Sequence, residues 1–145
     1  VEDCARRLPG HLLAAEFRHR SWFEGARIDW TLSFLRRLGL VHTVVDAPQG
    51  FANTVPCIWD TTHPALALVR LHGRNARMWN ARGLAASSSR FDYQYGADEL
   101  AAMLPELRHL ATQAQRVHVV FNTNNADQGQ VGARLLGQLL RMKTR

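Results

Sequence analysis

Four apolar runs of this chain end in side chains that can bind ions or move protons. The run from Leu12 to Phe17 contains Glu16 and leads into Arg18, His19, Arg20 and Ser21, and the run from Val41 to Val45 ends at Asp46. Leu66 to Leu71 contains Arg70 and leads into His72, Gly73, Arg74 and Asn75, and Val117 to Phe121 ends at Asn122. Guanidinium forks match the oxygens of a carboxylate or phosphate at two points, and an imidazole exchanges a proton near neutral pH. The candidate catalytic set is therefore His72, with Glu16 and Asp46 to orient the cations. The candidate ligand-binding set is Arg18, Arg70, Arg74, Asn75 and Asn122.

For these groups to act together the runs must be strands lying side by side. Strand side chains alternate between faces, so Ala14, Glu16 and Arg18 share one side, as do Leu68, Arg70 and His72, Val44 with Asp46, and Val120 with Asn122. If all four sets face the axis of an α/β barrel, they converge at the carboxyl ends of its strands, where such folds bind ligands. Charges withdrawn from water must be paired. Glu16, Asp46, Arg18 and Arg70 can do this among themselves, which would equally describe an interior ion-pair network without chemistry. Glu16, Asp46, His19 and His72 are ligand types for a metal, but no HExxH or comparable spacing is present and the neighbouring Arg residues repel a cation, so no metal is assigned. The chain has no GxGxxG, P-loop or nucleophile elbow, and no cofactor is indicated.

Helical patterns alternate with the runs, the signature of βα units and a parallel sheet. Asp29 can cap a helix with Trp30, Phe34, Leu35 and Leu38 on one face and Gly39 as its stop. Leu100, Met103, Leu104, Leu107, Leu110, Ala111 and Ala114 keep helical spacing, with Pro105 inside the pattern, where it must kink the helix or mark a new first turn. A last helix carries Val131, Leu135, Leu136, Leu139 and Leu140 ahead of a basic tail, Arg141 to Arg145. The stretch from Asp46 to the third run has no helical period. The loop from Arg74 to Gly96, with Trp79, Phe91, Tyr93 and Tyr95, has the length of a lid or binding loop, although packing beneath the loop accounts for at least two of these aromatics.

The chain has 145 residues, 46% of them hydrophobic, which suits one domain with a real core. Its 18 basic residues, all Arg except Lys143, exceed 12 acidic ones and give a charge of +6, which favours anionic partners. These charges are scattered along the chain, so a small anion stands ahead of nucleic acid as the expected partner. Cys4 and Cys57 form no ligand or disulfide pattern, no apolar stretch approaches the ~20 residues that span a bilayer, and the amino terminus lacks signal-peptide order. Together these point to a cytoplasmic protein without a membrane partner.

Glu16-Phe17-Arg18-His19 with Ser21-Trp22, Val69-Arg70-Leu71-His72-Gly73-Arg74-Asn75, Phe91-Asp92-Tyr93-Gln94-Tyr95 followed by Glu99-Leu100, and Val119-Val120-Phe121-Asn122 occur in that order and together resemble the DUF72 (YecE-like) family. The resemblance runs from Leu12 to Leu140. It implies a TIM-barrel-like fold related in shape to sugar isomerases and apurinic endonuclease barrels, and it brings no activity, since the family is named as a domain of unknown function. Family members also carry an amino-terminal half with a Gly-Thr-Ser-Gly-Trp-like first strand, an Asn-Ser-Thr-Phe-Tyr-like second and a Gln-Phe-Pro-Pro-like fourth. None of these occurs here, and the four runs resemble strands five to eight. The ending Asn122-Thr123-Asn124-Asn125-Ala126-Asp127-Gln128-Gly129 is looser than the commoner Asn-Asn-His form of the family.

The expectation is an α/β chain, a partial TIM-barrel-like (β/α) fold of about four parallel strands with flanking helices, forming a single domain over residues 1–145 that lacks the amino-terminal half of the barrel. Its expected partner is a small anionic ligand. Self-association or a complementary amino-terminal half-barrel would cover the open side. The alternatives are a nucleic-acid-binding or endonuclease-like barrel protein and an inactive fragment.

Overall fold

A computed structural model describes residues 1–83 and 86–142. The elements in chain order are α1 (Glu2–Arg7), β1 (Ala14–Ala15), a 3-10 turn (Arg20–Phe23), α2 (Arg27–Arg37), β2 (Val41–Asp46), β3 (Ala67–Leu71), α3 (Ala76–Trp79), a second 3-10 turn (Ser87–Phe91), α4 (Ala97–Ala102), α5 (Leu104–Gln113), β4 (Val117–Phe121) and α6 (Gln128–Arg141). The four strands form one parallel sheet in the order β1-β2-β3-β4. Parallel strands need crossovers; α4, α5 and α6 pack with Val44, Val69 and Leu71, while α2 packs in a second cluster with Phe17 and Val45. The architecture is α/β, with four parallel strands and flanking helices.

Register decides which side chains meet. Val44 pairs with Val69 and Val69 with Val119, while Asp46 pairs with Leu71 and Leu71 with Phe121. Residues in register share a face, so these two rows lie together, under Leu100, Leu107, Leu110 and Leu136 of α4, α5 and α6. Val44, Val69 and Leu71 are essentially sealed from solvent there, each contributing roughly 1.5–3 kcal/mol of apolar burial. The row Val45, Arg70 and Val120 faces the other way, and this second face carries polar groups and remains open along β4, where Val120 is exposed.

Local sequence explains most element boundaries. In α2, Thr31, Leu32, Phe34 and Leu35 are buried, and Gly39 at φ +65° takes the left-handed turn that ends the helix. Asp29 sits in the first turn instead of capping it, and Trp30 is exposed and stacks on Phe34. Pro105 lies in the first turn of α5, where its missing N–H costs nothing, so the expected kink is a full break at Met103 between α4 and α5. Residues 47–66 hold neither helix nor strand, as the lack of period implied. The run from Leu12 contributes only Ala14–Ala15 to the sheet. Arg141 closes α6, and the rest of the basic tail, residues 143–145, lies outside the described residues. Among the described residues no helix is long and apolar enough to cross a membrane.

The long connection from Arg74 to Gly96 is tied down by its aromatics. Trp79 and Tyr95 are buried, and Phe91 packs edge-on against Trp79 and beside His72. Ser88 and Ser89 belong to the second 3-10 turn. At Gly73, φ is +84° and an added Cβ would lie 2.5 Å from Tyr93 Cβ, so a side chain there is both strained and crowded.

Candidate functional site

On the open face, four side chains from three strand ends close a ring of hydrogen bonds. Arg70 donates from Nη1 to Glu16 Oε2 at 2.7 Å and from Nη2 to Asn122 Oδ1 at 2.9 Å. Asn122 Nδ2 lies 3.0 Å from His72 Nδ1, and His72 Nε2 lies 3.1 Å from Glu16 Oε1. Arg18 joins from outside the ring, its Nε 2.6 Å from Glu16 Oε1.

The ring settles the imidazole tautomer. A guanidinium only donates, so Arg70 fixes the Asn122 oxygen toward itself and turns the amide nitrogen to His72. Nδ1 of His72 therefore accepts, which puts the ring proton on Nε2, donated to Glu16. His72 is fully buried, and among the described residues Glu16 is the acidic group that its ring reaches by a hydrogen bond.

Burial alone would push the Glu16 carboxyl up. The hydrogen bonds from His72 and Arg70, and the charges of His72 and Arg18, outweigh burial and hold it at about 2. Arg18 and Arg70 keep part of their guanidinium groups in solvent, with side-chain exposures of 51% and 29%. One carboxylate faces two cations, so the open face carries excess positive charge at this point.

Asp46 does not join this ring. Its register partner is Leu71, one residue out of step with Arg70 and His72, so it lies on the helix-covered face. There it accepts from Arg74 Nη2 at 2.8 Å, from Arg74 Nε at 3.0 and 3.1 Å, and from the Tyr95 hydroxyl at 2.6 Å. Arg74 reaches on to Glu99 at 3.3 Å, and Glu99 also accepts from the Tyr93 hydroxyl at 2.5 Å. The Asp46 hydrogen bond, against partial burial, pushes the Arg74 guanidinium further up, and burial with the Asp46 charge pushes the Tyr95 hydroxyl up. Asp46 and Arg74 also border the clefts that hold Cys57, whose thiol is pushed up to about 12 by burial and the Asp46 charge. That thiol is no nucleophile at neutral pH.

The remaining sequence candidates have structural partners. Asn75 caps α3 by accepting from Met78 N at 3.2 Å and donates to the Asp92 carbonyl at 2.9 Å. His19 caps the first 3-10 turn through Ser21. Thus Glu16, Arg18, Arg70, His72 and Asn122 come together, while Asp46 and Arg74 form a separate cluster and Asn75 belongs to neither. No group of three or more His, Cys, Asp or Glu side chains that could hold a metal occurs among the described residues. Sequence reasoning places Tyr95 among the loop aromatics but misses the work of its hydroxyl, which accepts from Gly73 N at 2.9 Å while donating to Asp46. The glycine next to a run of site residues was the available signal.

Comparison with known proteins identifies the relatives of this architecture. A family model described as "Protein of unknown function DUF72" matches residues 1–145. The UPF0759 protein YunF of Bacillus subtilis is 37% identical over 129 residues, which are 85% of this chain and 46% of that protein. Among solved structures, a DUF72 family protein from Enterococcus faecalis superposes with a TM-score of 0.90 at 27% identity, covering 99% of this chain and 52% of its own. A DUF72 family protein from Thermotoga maritima gives 0.83 at 31%, covering 97% and 50%. This chain spans about half the length of these relatives.

Proposed function

The chain belongs to the DUF72 family, a family of unknown function, and we propose that its open sheet face binds a small carboxylate or phosphate at the carboxyl ends of the strands. The observation that carries this reading is Arg70, anchored by Glu16 on one side and Asn122 on the other and still partly exposed. Anchoring removes the rotamer freedom a guanidinium otherwise loses on binding, and Arg18 beside it adds a second cation. In this reading Arg18 and Arg70 hold the anion, Asn122 and Glu16 orient Arg70 and His72, and the His72–Glu16 pair handles any proton exchanged with the ligand. Arg74 and Asp46 then serve the fold, since they neutralise each other on the opposite face.

Calorimetric titration with phosphate, sulfate, acetate and citrate tests this. Binding that is abolished by Arg70→Ala and weakened by Arg18→Ala supports the site. An absence of binding, or binding indifferent to both variants, overturns it.

Enclosure of this face is part of the same proposal. Val120 on β4 and Leu12 ahead of β1 are exposed at the two lateral edges, and the relatives are about twice as long. A second four-stranded unit, from another copy or a complementary half-barrel, would pair both edges and shut the ring of Glu16, Arg70, Asn122 and His72 away from bulk water.

A further inference from the structure

The first 3-10 turn and α2 enclose a depression of about 690 Å³, lined by Ser21, Trp22, Ala26, Arg27, Trp30 and Thr31. We propose that it is a ligand site separate from the ring around Arg70, and that it takes a planar heteroaromatic ring carrying an anionic group, of the class of nucleoside monophosphates.

Two indoles wall the depression, and each is backed on one face by a phenylalanine. Trp22 stacks on Phe17 with centroids 4.1 Å apart and planes at 19°, and Trp30 stacks on Phe34 at 5.3 Å and 5°. The backing holds each indole in place, and both indoles line the depression. Trp30 is 56% exposed, so its indole is accessible from the depression it lines. Stacking on an aromatic face tolerates any base, because every base has a π-face.

The polar side of the depression is cationic. Arg27 is pinned by donating from Nη1 to the Ser21 carbonyl at 3.1 Å, which leaves its other N–H groups for an anion. Neither carboxylate of this segment, Glu24 or Asp29, lines the depression, and Glu24 is engaged by Arg20 at 2.8 Å. Thr31 is sealed from solvent and donates to the Trp22 carbonyl, so the turn and the helix that carry the two indoles are held in one geometry. The volume falls within the range of small-molecule pockets, about 300–1,000 Å³. Phe17, on which Trp22 stacks, belongs to the core cluster of α2, and none of Glu16, Arg70, His72 and Asn122 lines the depression.

The test is tryptophan fluorescence on the purified chain, titrated separately with AMP, adenosine and ribose 5-phosphate. AMP should quench saturably and bind at least roughly ten-fold more tightly than either of its halves. Trp30→Ala and Arg27→Ala should each weaken AMP by roughly ten-fold or more, and Arg70→Ala should leave it unchanged, which separates this site from the anion site. The absence of saturable quenching below millimolar AMP overturns the proposal, as does equal binding of adenosine and AMP. A third overturning result is an exposed groove that merely joins copies: sedimentation would then show Trp30→Ala dissociating an oligomer while AMP has no effect on either protein.

Discussion

Asn122 and His72 stand fifty residues apart in sequence and 3.0 Å apart in space, and the amide of the first fixes the tautomer of the second. Because Arg70 occupies the amide oxygen, His72 receives a hydrogen bond at Nδ1 and gives one from Nε2. A long-range proton–nitrogen NMR spectrum should therefore show an unprotonated Nδ1 and a protonated Nε2. Asn122→Leu removes the donor and should yield a mixture of tautomers. The opposite tautomer in the unmodified protein would show that the ring of hydrogen bonds is drawn in the wrong sense.

Arg70→Ala leaves Glu16 in a partly buried site with Arg18 and His72 as its remaining partners. Breaking a buried ion pair costs roughly 3–5 kcal/mol, and the surviving partners place this variant near the lower end, about 3 kcal/mol. Urea denaturation measures it. A loss below about 1 kcal/mol would class the pair with exposed ion pairs and remove the anchored guanidinium from the argument.

The Glu16 carboxyl at about 2 lies below its ordinary value of 4.5, so its stabilising contribution is complete above that ordinary value and declines as pH falls toward 2. In that window the unmodified protein should lose stability more steeply than Glu16→Gln, which has no proton to take up. Parallel acid profiles for the two proteins would place the carboxylate elsewhere in the energetics.

Tyr95→Phe deletes one hydroxyl that serves two buried groups, the Gly73 N–H and the Asp46 carboxylate. Leaving such groups unmet costs roughly 1–3 kcal/mol. Gly73→Ala should cost more, because its Cβ must displace Tyr93 and adopt a positive φ. Thermal denaturation that ranks the two variants the other way would mean that the turn after β3 relaxes freely.

Exposed Val120 and the unpaired edges of β1 and β4 predict association or weak protection in the isolated chain. Sedimentation with hydrogen exchange checks this. A monodisperse monomer with strongly protected amides along β3 and β4 would show that four strands suffice, and the enclosing partner would be dropped.

Much of the fold was legible because its signals are local. Apolar runs marked β2, β3 and β4, helical spacing marked α2, α5 and α6, the position of Pro105 marked a break, and the empty stretch after Asp46 stayed without elements. β1 is two residues long, Ala14 and Ala15 pairing with Val41 and His42 of β2, because strand length follows from the pairing and the apolar run alone does not fix it. The grouping of Glu16, Arg18, Arg70, His72 and Asn122 follows from alternation within each run, together with a register that keeps β3 and β4 in step.

Asp46 shows where sequence stops. Alternation along Val44, Val45 and Asp46 states only that Val44 and Asp46 share a face, and either face satisfies it. A register shift of a single residue exchanges the faces, and that choice was made by pairing with β3, which set Asp46 beside Leu71 and handed it to Arg74 and Tyr95. The residues able to do chemistry were written in the chain, but which of them stand on the same side of the sheet was decided only when the strands docked.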